Sequence, residues 1–127
     1  MKNFLFSLFI LLLVCSCSTQ QKAASSARGI SIVNDSTEYE ITIIDPGFDQ
    51  WYTLNFSPSK DYSNEYYRGK NLNTVSNWNI YLTHGKYPLV IDSFINYDPS
   101  VDYGIEVNRR LFWYFKYSEQ KYYMRIF

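Results

Sequence analysis

Three carboxylates recur at every fourth position in the stretch INYDPSVDYGIEVNRR, residues 95–110: Asp98, Asp102 and Glu106. Two chemistries could use such a run. Asn96, Asp98, Ser100 and Asp102 alternate as the first ligands of a calcium loop do. The EF-hand pattern then needs glycine at position 6 and glutamate at position 12, because a sharp turn and a bidentate ligand complete the shell. Counting from Asn96 puts Val101 and Val107 there, and counting from Asp98 puts Tyr103 and Arg109 there. Both registers fail, which leaves only an irregular site open. A carboxylate pair could instead act as acid and base on a glycosidic bond. Asp45 with Asp49, or Asp98 with Asp102, are the available pairs, and their spacing does not separate them from helix caps. The helix-start reading accounts for all three acids of the run. Asp98-Pro99 opens a turn, since a residue before proline avoids the helical region. Asp102 is then the expected N-cap, and Glu106 falls in the first turn, where the positive end of the helix dipole favours it.

Other reactive residue types are scarce. His84 is the single histidine, and neither cysteine lies beyond residue 17. Zinc therefore lacks a ligand set, and a serine triad would lack a G-x-S-x-G elbow around any serine. No phosphate loop or dinucleotide fingerprint occurs. No cofactor is expected.

The amino-terminal segment reads as a targeting signal. Lys2 is followed by an apolar run from Phe4 to Val14, shorter than the roughly 20 residues a spanning helix needs. Val14-Cys15-Ser16-Cys17 resembles a bacterial lipobox, with Ser16 as the small residue before Cys17; Val14 is too large to serve Cys15 in the same way. Residues 1–16 are then a signal peptide and Cys17 the lipidation site, anchoring the chain to a membrane through acyl groups. The mature chain would have 111 residues, with 11 basic and 12 acidic side chains. That balance argues against nucleic acid, which selects a basic face. With Cys15 removed and Cys17 acylated, the mature fold has neither thiol nor disulfide and must stand on its packed core. The 13 tyrosines all follow the signal. Aromatic side chains bury 150–250 Å² each, so they are a means of building core in a small domain; a sugar-stacking surface is the competing use.

Residues 17–29 are small and polar, a flexible tether, and residues 30–127 form a single domain. Glu38-Tyr39-Glu40-Ile41-Thr42-Ile43 alternates as a half-buried strand should, with Ile30-Ser31-Ile32 a possible short partner and Asn34-Asp35-Ser36 a turn. Asp45 and Pro46 can start a helix whose one face carries Phe48, Trp51, Tyr52 and Phe56. Two helical segments are expected between Asp61 and His84. The first is weakened by Gly69; the second is capped by Asn73, carries Val75, Trp78 and Leu82 on one face, and ends at Gly85. Leu89–Tyr97 is apolar and β-rich and is expected to pair with Tyr39–Ile44. A long aromatic helix should run from about Tyr103 to Tyr122, with Glu106 reaching Arg109 or Arg110 and Lys116 reaching Glu119 or Gln120. The fold class is α+β: a small antiparallel sheet packed against three or four helices.

EYEITIIDPGFDQW, then VSNWN, then INYDPSVDYGIEVN followed by an aromatic helix resemble an uncharacterised family of small Bacteroidota lipoproteins, one of the domain-of-unknown-function families. The likeness runs from about Glu38 to Tyr123. Arg109-Arg110 depart from it, since members often carry tyrosine and leucine there, and the two arginines look like a local surface feature. The family brings no activity. It implies an outer-membrane lipoprotein, and the absence of an acidic run after Cys17 implies the periplasmic face rather than the cell surface. The expected function is a non-enzymatic, membrane-anchored envelope module with a protein partner; a glycan-binding module or carbohydrate-active enzyme is the alternative. Asp45, Trp51, Trp78, Asp98, Asp102 and Glu106 make up the candidate functional surface.

Overall fold

The computed structural model describes residues 29–35 and 38–127. Residues 1–28, with the expected signal peptide, Cys17 and all but the last residue of the expected tether, lie outside them. Among the described residues the chain forms a two-stranded antiparallel sheet and three α-helices, an α+β arrangement as the sequence implies.

Strand β1 (Gly29–Asp35) pairs with β2 (Glu38–Ile44). Ile30 faces Ile43 and Ile32 faces Ile41, so one sheet face is a patch of β-branched residues laid on the core. The other face carries the exposed Glu38, Glu40, Thr42 and Ile44. The ladder takes in Gly29, assigned to the tether, and Asn34 and Asp35, assigned to a turn. The partner of β2 is thus its sequence neighbour and not Leu89–Tyr97, which contains no strand.

The reason lies in helix α2 (Asn64–Thr83). Its side chains take the hydrogen bonds that a sheet would have offered that segment. Trp78 Nε1 donates to the Ser93 carbonyl at 3.0 Å. Asn79 bonds Ile95 both ways, donating to its carbonyl at 3.0 Å and accepting from its N–H at 2.9 Å. Val90, Ile91 and Ile95 meanwhile enter the core. A backbone satisfied by side chains has no need of a strand partner.

Helix α2 is one 20-residue helix where two were expected. Ser63 caps it, accepting from the Tyr66 N–H at 3.2 Å, and Asn73 sits mid-helix. Its polarity pattern is blurred because Asn71 and Thr74 are buried while Leu72 and Ile80 are exposed. Val75 and Trp78 do face the core, and Gly85 takes the left-handed φ of +63° expected just past the end. Gly69 is different: a Cβ there would meet nothing within 4 Å. Gly69→Ala should therefore stabilise the fold by about 0.5–1 kcal/mol through helix propensity alone. A rise in the urea midpoint without change of slope would bear this out, and a fall would show that the glycine is needed for close approach.

Helix α1 (Phe48–Asn55) and helix α3 (Ile105–Tyr122) complete the core. Phe48, Leu111 and Phe115 are fully buried, and Tyr114 and Tyr117 nearly so. Phe48, Tyr52 and Phe56 share a face as expected, with Tyr52 and Phe56 stacked at 5.1 Å. Helix α3 begins two residues later than Tyr103, after Gly104 at φ +82°.

Helices α2 and α3 run in the same direction. Asn64 and Asn71 meet Asn108, Tyr67 meets Phe112, and Trp78 meets Phe115. Both helix N-termini thus lie at one end of the domain and both C-termini at the other.

Candidate functional site

The end holding the two N-termini carries a groove between β2 and the start of α3. It consists of two adjoining hollows of about 350 and 340 Å³ that share Glu38, Tyr39 and Glu106. Tyr39 stands edge-on to Tyr103 at 4.9 Å, and Tyr103 stacks on Tyr97 at the same separation. Glu38, Glu40 and Asp102 add carboxylates to the rim, and Arg110 lies at one side. Such a surface suits a cationic group, which carboxylates and the faces of tyrosine rings both attract.

The chain builds this end by local rules. Asp98 does open the turn: its Oδ1 accepts from the Ser100 hydroxyl at 2.7 Å and the Ser100 N–H at 2.8 Å. Those two bonds hold the Asp98 carboxyl below its usual range, hydroxyl first. It is therefore a poor proton donor. Asp102 is not the N-cap. Its Oδ1 accepts from the Gly104 N–H at 3.1 Å, one residue before the helix, and Gly104 occupies the cap position. A glycine at positive φ turns the chain into α3, so the cap needs no side chain. Glu106 is in the first turn, as expected, and pairs with Arg109 at 2.6 Å. Lys116 pairs with Glu119 at 3.5 Å, as expected.

Behind the groove lies a polar network. Arg109 grips Asp61 with two nitrogens, Nε at 2.9 Å and Nη2 at 2.5 Å. Tyr67 donates to Asp61 at 2.6 Å and is itself fully buried. Arg109 beside it holds Asp61 down at about 2, aided by Tyr67. Asp61 raises the Arg109 pKa in turn, and burial pushes Tyr67 up. Deeper still, Asn108 donates to Asn64, accepts from the Tyr97 hydroxyl at 2.8 Å, and offers its carbonyl to Asn71. These groups are committed to one another. The Arg109 side chain is only 13% exposed, which corrects its reading as a local surface feature. Arg110 does reach the surface, where it pairs with Asp49.

Asp102 and Glu106 thus line one groove, with Asp98 in the turn that leads to it. The other three candidates lie elsewhere. Asp45 is buried; its Oδ1 accepts from Tyr117 at 2.9 Å and its Oδ2 from Tyr122 at 2.6 Å. It also accepts from the Gly47 N–H at 3.3 Å, but Gly47 and not Asp45 precedes the helix. Trp78 is 2% exposed, so it is core and cannot stack on a ligand. Trp51 is half-buried, bonded to Gln120 and set 6.2 Å from Trp113. His84 meets the Ile80 carbonyl through Nδ1 at 2.8 Å. Among the described residues no group of three or more His, Cys, Asp or Glu is placed to hold a metal ion. Sequence reasoning missed Glu38, Tyr39, Asp61, Tyr67 and Asn108. The alternation of β2 put Glu38 and Glu40 on its outer face; nothing local linked Asp61 to Arg109.

Fold and groove together define a small α+β domain with an open, acid-rimmed tyrosine surface. The chain belongs to a family of unknown function, DUF6146, whose model matches residues 4–127. No curated protein and no solved structure matches it.

Proposed function

We propose that this protein is a non-enzymatic lipoprotein of the bacterial envelope. In this reading Cys17 carries the acyl anchor, the domain sits on the periplasmic face of the outer membrane, and the groove between β2 and α3 docks a partner protein. The lipobox-like Val14-Cys15-Ser16-Cys17 supports the anchor. The family match starts at residue 4 and so includes that segment. The observation that carries the docking role is the groove: shallow, continuous and lined by Glu38, Glu40, Asp102 and Glu106 over tyrosines. It suits an extended segment bearing Lys or Arg better than an enclosed small substrate.

The test is affinity purification of the acylated protein from cross-linked envelopes, alongside Cys17→Ala and Glu38→Lys/Glu40→Lys. One stoichiometric protein, reduced in both variants, is the expected result. Recovery of the same protein in full with the charge-reversed groove would remove the groove from the reading.

Glycan binding is the second reading, favoured by one observation. Tyr62 and Tyr66 stack at 4.3 Å on the surface, 46% and 39% exposed, a flat platform of the kind sugars adopt. Unchanged intrinsic fluorescence with millimolar peptidoglycan fragments would count against it.

A further inference from the structure

We propose that the end of the domain opposite the groove faces, and touches, the anionic lipid surface to which the chain is tethered. This rests on the lipidation of Cys17 set out above.

Three observations converge on that end. The first is where the tether joins. Gly29 pairs with Ile44, next to Asp45, which is bonded to Tyr117 and Tyr122 at the C-terminal end of α3. Residues 18–29 are the twelve that lead from Cys17 into the sheet. Fully extended they span about 40 Å, and a flexible chain of that length averages about 20 Å end to end. The membrane is thus held within about one domain diameter of this end.

The second is charge. Lys86, three residues past the end of α2, lies over the rings of Tyr81 and Tyr87 at 4.3 and 5.1 Å. Lys121, in the last turn of α3, lies 5.5 Å from Tyr117 and 5.9 Å from Tyr122. Arg125 follows, its N–H on the Tyr87 hydroxyl and its carbonyl on that of Tyr81. Among the described residues none of the three has an ion-pair partner. The tether adds Lys22 and Arg28 and no acid. Asp45, which the same contacts place here, is buried and turned inward. The groove end is the reverse: its basic side chains Arg109 and Arg110 are taken up by Asp61, Glu106 and Asp49, Arg68 reaches the Pro99 carbonyl, and Glu38, Glu40, Asp98 and Asp102 leave it with an excess of acid. The domain is therefore polarised along its helices, positive at the tether and negative away from it. A surface of anionic lipid attracts the first and repels the second.

The third is apolar exposure at the same end. Tyr123, directly after α3 and held at φ +53°, is 87% exposed. Leu89 is 83% exposed and shares a mostly apolar hollow of about 280 Å³ with Tyr87, Pro88, Val90 and Tyr122. Tyrosine ringed by lysine and arginine is the composition that settles at a lipid headgroup layer.

The test uses the acylated protein in vesicles of phosphatidylethanolamine and phosphatidylglycerol. Acylated Cys17 has no thiol, so Tyr123→Cys and, separately, Glu38→Cys each accept one fluorescent label. Quenching by a spin label on the lipid headgroup reports proximity. The expected result is quenching at position 123 at least about twofold above that at 38. In Lys86→Glu/Lys121→Glu the two positions become alike. Equal quenching in the parent protein, stronger quenching at 38, or a difference that survives the double reversal overturns the proposal. Mass spectrometry separates the two readings. An acylated Cys17 with equal quenching overturns the orientation alone, whereas a Cys17 without acyl chains overturns the anchor and the orientation with it.

Discussion

Asp45→Ala is expected to cost about 3–4 kcal/mol of folding free energy, a large part of the 5–15 kcal/mol typical of a domain. Asp45 was a candidate cap and catalytic carboxylate in the sequence, yet it is buried and ties β2 to the far end of α3 through Tyr117 and Tyr122. Burial, with the bonds to Tyr122 and Asp45, pushes the Tyr117 hydroxyl well above its ordinary range, so it remains a donor. Truncating Asp45 leaves that donor, 1% exposed, without its acceptor. A thermal midpoint lower by on the order of 15 °C is expected for a domain of this size. In a Tyr117→Phe/Tyr122→Phe background the same truncation should cost about 1 kcal/mol or less. An undiminished cost there would mean that Asp45 acts through some other contact.

Acidification should weaken the fold between pH 3.8 and about pH 2 through Asp61. Its folded-state pKa lies below its ordinary value, so the unfolded chain takes up the proton first. The associated stability is complete above pH 3.8 and is lost as the pH falls through about 2. The side chain is a quarter exposed, so solvent reduces the contribution to about 1–2 kcal/mol. Asp61→Asn should remove this part of the acid dependence and lower stability at neutral pH by a similar amount. Urea titrations at pH 2, 4 and 7 measure it; parallel acid profiles in the parent and Asp61→Asn would refute the assignment.

What could be read from sequence follows one division. Local patterns were legible: the alternation of β2, the aromatic helix α3, the Gly85 stop, and the pairs Glu106–Arg109 and Lys116–Glu119, each three residues apart. Whatever joins distant segments was not. Asp61 and Arg109 are 48 positions apart, and Asp45 and Tyr117 are 72. Leu89–Tyr97 has strand composition, but Trp78 and Asn79 supply its hydrogen bonds. Helix α2 reads from sequence as two segments because Gly69 weakens the first and Asn73 looks like a cap for the second; the buried Asn71 and Thr74, which join the halves to the core, stand where periodicity expects apolar residues. The same limit applies to the candidate surface. Asp98, Asp102 and Glu106 lie in the local run that builds the groove, whereas the contacts that place Asp45 and Trp78 inside the fold come from elements far along the chain.

The common direction of α2 and α3 has a kinetic consequence. Antiparallel helices joined by a short loop find each other quickly, because few residues must be ordered to close the contact. Here the chain must travel back along the domain between Thr83 and Ile105 before α3 can lie beside α2. The contacts that make the core, such as Asn71 with Asn108 and Asn77 with Ile126, close loops of 37 and 49 residues. Loop closure precedes the reward of packing. A domain whose core is built chiefly by helices would then refold at the pace of mixed α/β domains, and during that interval its aromatic helix would be without cover.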